Sequence, residues 1–291
     1  MGKPSGKKLI QAIKDKGKNL EAEMSFFEHL EVLRWHLIRS AIAIVVFLLL
    51  AFSFYDFIFD KIVMGPKNTD FLTYRVMCRI GEWLNIDGLC VTEVPGIIIN
   101  TAMAGQFLMQ INSSLLIAVM LGFPYLLYEV WLFVKPALSP LERRSTRGFV
   151  FYATLLFALG VCFGYFVVTP LAMNFLANYS ISDSIANTIT IQSYLSFVAT
   201  LSLGCGIVFE LPIAVFILSR MGFLTPQFMR STRRYAILGI LLVAAIITPT
   251  PDAFTMLTVS FPMLILYELS ILISARVERK RKAEEAEFFS E

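Results

Sequence analysis

Charge is what this chain has least of. Only 16% of its 291 residues are Asp, Glu, Lys or Arg, while 57% are hydrophobic. Water-soluble domains run near a quarter charged. A chain this apolar cannot be wrapped in a water-facing surface, which excludes an ordinary soluble fold. Histidine is nearly absent: only His29 and His36 occur, so no HExxH helix or other histidine-built metal cluster can be assembled. There is no GxSxG elbow, no P-loop and no GxGxxG, which removes common hydrolase, nucleotide and dinucleotide signatures. The inventory points away from an enzyme and from a metal or cofactor. The net charge of +3 is too small to suggest a nucleic-acid partner.

What the chain has instead is long uncharged runs. They predict an all-α polytopic membrane protein with six transmembrane helices, at about 36–59, 106–135, 149–177, 193–219, 235–249 and 254–273. The first run is preceded by a lysine-rich stretch but is too long for a signal-peptide core, and no small-residue cleavage site follows it. It is expected to be retained. The second carries Pro124 and is longer than a bilayer needs, so it should tilt, kink or project. The fifth, YAILGILLVAAIIT, rises only about 21 Å against a hydrocarbon core of about 30 Å. With the turn ITPTPD behind it, helices five and six should stop short of one membrane surface.

Orientation follows from the basic residues. Twenty-one of the 25 lysines and arginines fall in the N-terminal segment, the 2–3 loop, the 4–5 loop and the tail. The other four, Lys61, Lys67, Arg75 and Arg79, share the 1–2 loop with acidic residues. Basic loops stay in the cytoplasm, so both ends are expected inside, N-in/C-in. The chain then divides into a basic cytoplasmic segment (1–24), a six-helix membrane domain (25–275) and a charged cytoplasmic tail (276–291). The 1–2 loop, about 60–105, is the largest piece outside the membrane, and its VPGIIINTAMA stretch is apolar enough to lie on the outer surface. The tail KRKAEEAEFFSE reads as disordered.

Cys162 and Cys205 fall inside predicted helices, as small packing residues. Cys78 and Cys90 both fall in the outer loop, where they are either a disulfide or two free thiols. The oxidising side of the membrane favours the disulfide. Glu210, in CGIVFELPIAVF, is a carboxylate deep in the fourth run; burying it is costly, so it should face a partner or a wet cavity, unless it is a hydrogen-bonded packing residue. Glu129, Glu268 and the two histidines read as interfacial. Asp252, in TPTPD, suits a turn residue that caps helix six.

Six segments, taken in order, resemble the TatC family, the core subunit of the twin-arginine protein translocase. They are FFEHLEVLRWHL before the first run, FPYLLYEVWLFVKPALSPLERR closing the second, GYFVVTPLAMNFL in the third, SYLSFV and FELPIAV in the fourth, and TPTPDAFTM between the last two. The resemblance covers about residues 25–275. It implies a receptor and translocation scaffold in the cytoplasmic (inner) membrane, which binds twin-arginine signal peptides on folded cargo. Its implied partners are single-span subunits of the TatA and TatB type, membrane lipid and further copies of itself, with transport driven by the proton-motive force. It assigns Glu142, in the ERR motif, to the signal peptide's arginines, and a second acidic residue before helix one. There the usual HLxELR reads His29-Leu30-Glu31-Val32-Leu33-Arg34, so Glu28 or Glu31, beside Arg34, would stand in for the Glu replaced by Val32. It matches the family's membrane Glu to Glu210 and its hairpin Asp to Asp252, and places Met256 where Gln is common. Glu210, Asp252 and Glu129 are thus the candidate intramembrane or partner-docking residues. The competing expectation is a secondary transporter or channel for a small solute.

Overall fold

In a computed structural model of the protein, residues 26–84, 90, 97–135, 148–182, 187–249 and 252–290 are described. The chain is mostly helical. Helix α1 spans Phe26–Ser53 and continues through a turn at Tyr55–Phe57, a π-helical turn at Ile58–Val63 and a 3₁₀ turn at Gly65–Lys67. Helix α2 (Leu72–Leu84) and strand β1 (Ile97–Ile99) follow, then α3 (Gly105–Val134). Helix α4 (Phe149–Phe163) runs through a π-helical turn at Gly164–Val168 into α5 (Thr169–Asn178). After β2 (Thr188–Thr190) come α6 (Ile191–Phe209), α7 (Leu211–Arg220), α8 (Pro226–Ser231), α9 (Arg233–Ile247) and α10 (Ala253–Ser290).

Five helical segments are long and apolar enough to cross a membrane: 30–53, 105–134, 149–178, 191–220 and 253–280. Helix α9 coincides with the fifth predicted run but has 15 residues, about 22 Å of rise. It pairs with α10, whose 38 residues reach about 57 Å. That length takes α10 through the stretch read from sequence as a disordered tail. The reason is local: Arg, Lys, Ala and Glu are strong helix formers, and Lys282 pairs with Glu278 one turn back at 2.7 Å.

Two prolines mark breaks in the long helices, while Pro124 and Pro262 lie inside the continuous α3 and α10. Pro212 has no N–H and clashes with the carbonyl four residues back, so the fourth run is interrupted at Glu210, between α6 and α7. Pro170 does the same to Phe166, whose freed carbonyl accepts the Thr73 hydroxyl from α2. Thr169 Oγ1 donates to Gly164 O at 2.8 Å in the same irregular turn.

Helix α1 packs along α3, and α4 along α6. The second contact is close because it is built from glycine. A Cβ on Gly160 would lie 2.6 Å from the Cys205 carbonyl oxygen, and one on Gly164 equally close to that of Leu201. Gly160 and Gly164 stand four apart, so their bare faces line up and let the backbones approach, a small-xxx-small contact typical of membrane helices. Phe123 stacks on Phe157 beside it, with ring centroids 3.5 Å apart.

Opposite the end that carries the chain terminus of α10, three tyrosines from different elements tie down the turn after α1. Tyr165 donates to Ile62 O (2.5 Å), Tyr194 to Val63 O (2.6 Å), and Tyr74 to both Pro66 O (3.0 Å) and Pro170 O (3.2 Å). Burial pushes the Tyr74 phenol up to about 12. The VPGIIINTAMA stretch, expected to lie along the membrane surface, instead contributes β1. Its Ile97, Ile98 and Ile99 pair in parallel with Thr188, Ile189 and Thr190 of β2.

Candidate functional site

The segment before the first span and the end of α3 lie together because α1 packs along α3. Glu28 lies in the first turns of α1. One turn on, Glu31 and Arg34 are both exposed and three residues apart, so they share a face. Val32, where the family pattern has its Glu, is half-buried. The apolar residue is thus turned partly toward the protein while its acidic neighbour remains accessible. Glu142 lies outside the described residues, as do the arginines of its ERR motif. The structure therefore brings the α1 acids to the side of the molecule where α3 ends.

What fixes that side is a cluster the sequence reading did not assemble. Glu129, expected to be interfacial, is 3% exposed. One oxygen is 2.5 Å from His36 Nδ1 on α1, and the other accepts from Tyr125 at 2.6 Å on its own helix. His36 in turn meets the edge of Phe133, with centroids 6.3 Å apart. The signal available in the sequence was weak: Tyr125 and Glu129 stand at the i, i+4 spacing of one helix face, but His36 lies 93 residues away. Glu268, also read as interfacial, pairs with Arg233 at 2.8 Å with both side chains about half exposed.

Glu210 sits at the break between α6 and α7, and its Oε1 is buried without a hydrogen-bond partner among the described residues. A buried acceptor left open is costly. Asp252 is spent locally: its Oδ1 accepts from the Thr255 N–H at 2.6 Å and caps the start of α10. Met256 packs partly buried against the core of α6, α9 and α10.

Cys78 and Cys90 are joined in a disulfide that closes the chain after α2. Together with Glu82 they are the one close group of potential metal ligands among the described residues. Metals bind thiolates, and both sulfurs are here bonded to each other.

Among the described residues no catalytic constellation is assembled. The arrangement is a helical membrane scaffold with an exposed acidic segment at one end and an open carboxyl inside. A model of the Sec-independent protein translocase protein TatC family matches residues 28–262. The chain belongs to the TatC family. TatC of Blattabacterium sp. subsp. Periplaneta americana is 36% identical over 91% of this chain and 100% of its own length. TatCy of Bacillus subtilis is 31% identical over 91% of this chain and 94% of its own. A crystal structure of the twin-arginine translocase receptor TatC superposes with a TM-score of 0.67 at 31% identity, covering 86% of this chain and all of that one. TatC proteins are translocase components and not a catalytic family.

Proposed function

We propose that this chain is the twin-arginine signal-peptide receptor and core scaffold of a translocase that exports folded proteins across the cytoplasmic membrane, driven by the proton-motive force. The TatC match across residues 28–262 carries the reading, because it spans both acidic segments and the fourth helix in order. The small-solute transporter is not favoured, since the relatives bear translocase names.

Six spans with both termini inside are the topology that goes with this function. The sixth span is α9, whose shortness is accommodated by local thinning of the bilayer, and the basic loops set the orientation. Glu142 takes an arginine of the signal peptide. A carboxylate accepts the two parallel N–H bonds of a guanidinium fork, whereas a lysine ammonium offers only a point charge, so rigidly held carboxylates distinguish paired arginines from paired lysines. The second carboxylate comes from Glu28 or Glu31, with Arg34 beside it. Glu31, exposed and one position from Val32, is the better placed. Glu210, with its open oxygen, receives a polar group from a single-span TatA/TatB-type helix, and Glu129 holds the receptor face in shape through His36.

The test is crosslinking of a twin-arginine peptide in membranes. Glu142→Gln keeps the side chain's shape and removes its charge, so it should abolish crosslinking while the protein still inserts. Glu142→Asp should be partly active, and a twin-lysine peptide should fail on the wild type. Normal binding and export by Glu142→Gln would place the site elsewhere, with Glu28 and Glu31 next.

A further inference from the structure

A cavity of about 370 Å³ opens between the end of α1, α3, α4 and α6. Its walls are apolar, with Leu116 and Met120 from α3 on one side and Val161 from α4 on the other. Two features set it apart from ordinary packing space. Lys61 stands at its lining, exposed and in no ion pair among the described residues. Beside it three aromatic rings form a cluster: Phe71 meets Tyr165 edge-on and stacks on Phe166, both at 5.4 Å. Of these, Tyr165 together with Lys61 is the kind of pair that anchors a protein at the membrane–water interface. Lys61 lies eight residues past Ser53, where the first span ends, in the π-helical turn Ile58–Val63. The cavity then runs inward along the α3, α4 and α6 walls to Ser202, 1% exposed.

We propose that this cavity is a binding site for a single glycerophospholipid, with one acyl chain between α3, α4 and α6 and its phosphate on the Lys61 ammonium. An acyl chain is flexible and narrower than a helix about 10 Å across, so it follows an irregular apolar cavity that a rigid helix would have to widen. A free phosphate does not account for the apolar walls. A phospholipid uses both features, with its chain against the apolar walls and its phosphate on the Lys61 ammonium. The occupant would also fill the space between the α1–α3 pair and the α4–α6 pair and brace the two against each other. This inference stands apart from signal-peptide recognition, which uses other residues.

The test is native mass spectrometry of the full chain in detergent, titrated with phosphatidylglycerol, phosphatidylethanolamine or diacylglycerol of matched chains. Wild type should retain one phospholipid of either headgroup, at least tenfold tighter than diacylglycerol. Lys61→Gln should bring phospholipid down to the diacylglycerol level. Leu116→Trp, which fills the cavity with a larger apolar side chain, should weaken all three. Cys162 lines the same cavity and is exposed, so alkylation of this native thiol should slow severalfold when phospholipid is restored to delipidated protein. Folding of each variant is checked by the intact Cys78–Cys90 disulfide. Wild-type lipid retention in both folded variants, equal retention of diacylglycerol, or Cys162 alkylation unchanged by lipid would each overturn the proposal. So would protection of Cys162 that persists after delipidation, which would mean a polypeptide side chain occupies the space.

Discussion

His36 on α1 and Glu129 on α3 meet at 2.5 Å across the interface of the two longest-packed helices, with the carboxyl group almost wholly withdrawn from solvent. Tyr125 completes the acceptor set of Glu129 at 2.6 Å. A buried carboxyl with both oxygens satisfied is stabilising to its surroundings, and the same carboxyl with one partner removed is a liability.

His36→Leu is therefore expected to loosen the α1–α3 contact by about 2–3 kcal/mol, read as a lower midpoint of thermal unfolding in detergent. His36→Asn places an amide N–H near the lost Nδ1 and should recover most of it. Equal stability of the Leu and Asn variants would show that packing, not the hydrogen bond, holds the helices.

The α4–α6 contact is expected to be intolerant of added carbon. Gly160→Ala and Gly164→Ala each place a methyl 2.6 Å from a backbone carbonyl oxygen that cannot rotate away. Each should cost about 1–3 kcal/mol, and together more than either alone because they separate the same two helices. Gly239→Ala, with nothing within 4 Å of the new methyl, is the control and should be neutral or slightly stabilising. Limited proteolysis of membranes ranks the three.

The open oxygen of Glu210 predicts a change in partner contact and not in peptide binding. Glu210→Ala should weaken crosslinking to a single-span subunit, by about 1 kcal/mol of lost hydrogen bonding in the membrane, while twin-arginine crosslinking at the α1 segment persists. Unchanged subunit crosslinking and transport would leave Glu210 as a packing residue.

The disulfide should matter to its own segment. Cys78→Ser with Cys90→Ser removes a short covalent loop and is expected to cost about 2–3 kcal/mol there, seen as faster proteolysis after α2. Two freely alkylated thiols in non-reduced wild-type protein would remove the bond from the native state.

Tyr74 carries a pH dependence. Its phenol, raised by burial to about 12 from the ordinary 10.0, stabilises the fold only while neutral. That contribution is complete below about pH 10, where the unfolded phenol is also neutral, and disappears as pH rises through 12. Tyr74→Phe should cost about 1–2 kcal/mol at neutral pH, because the carbonyls of Pro66 and Pro170 lose their donor, and should flatten the alkaline limb of the stability profile.

The second to fifth helical runs were legible to within a few residues, because a span is written in one dimension as a stretch of uncharged residues long enough for a bilayer, whereas the first helix starts ten residues earlier and ends six earlier than expected and the sixth continues seventeen residues further. Helix α9 was legible as a helix, and its shortness was legible with it. The Asp252 cap was also local: Thr-Pro-Thr-Pro-Asp before an apolar run places the acceptor next to the first free N–H groups. The tail was misread because charge density was taken for disorder, although the same residues are good helix formers once α10 gives them a nucleus to extend.

By itself the sequence determined the helical runs, the membrane as solvent, and the order of motifs that marks the TatC family. These are properties of short windows, set by side-chain hydropathy and backbone restriction. The tertiary structure decided what no window contains: that His36 is the partner of Glu129, that Thr73 takes the carbonyl freed by Pro170, that β1 pairs with β2, and that Gly160 and Gly164 face Cys205 and Leu201. Each joins residues from about 40 to more than 90 positions apart. Hydrogen bonds and close packing depend on which helix faces come together, and that is settled by the fit of whole helices against one another.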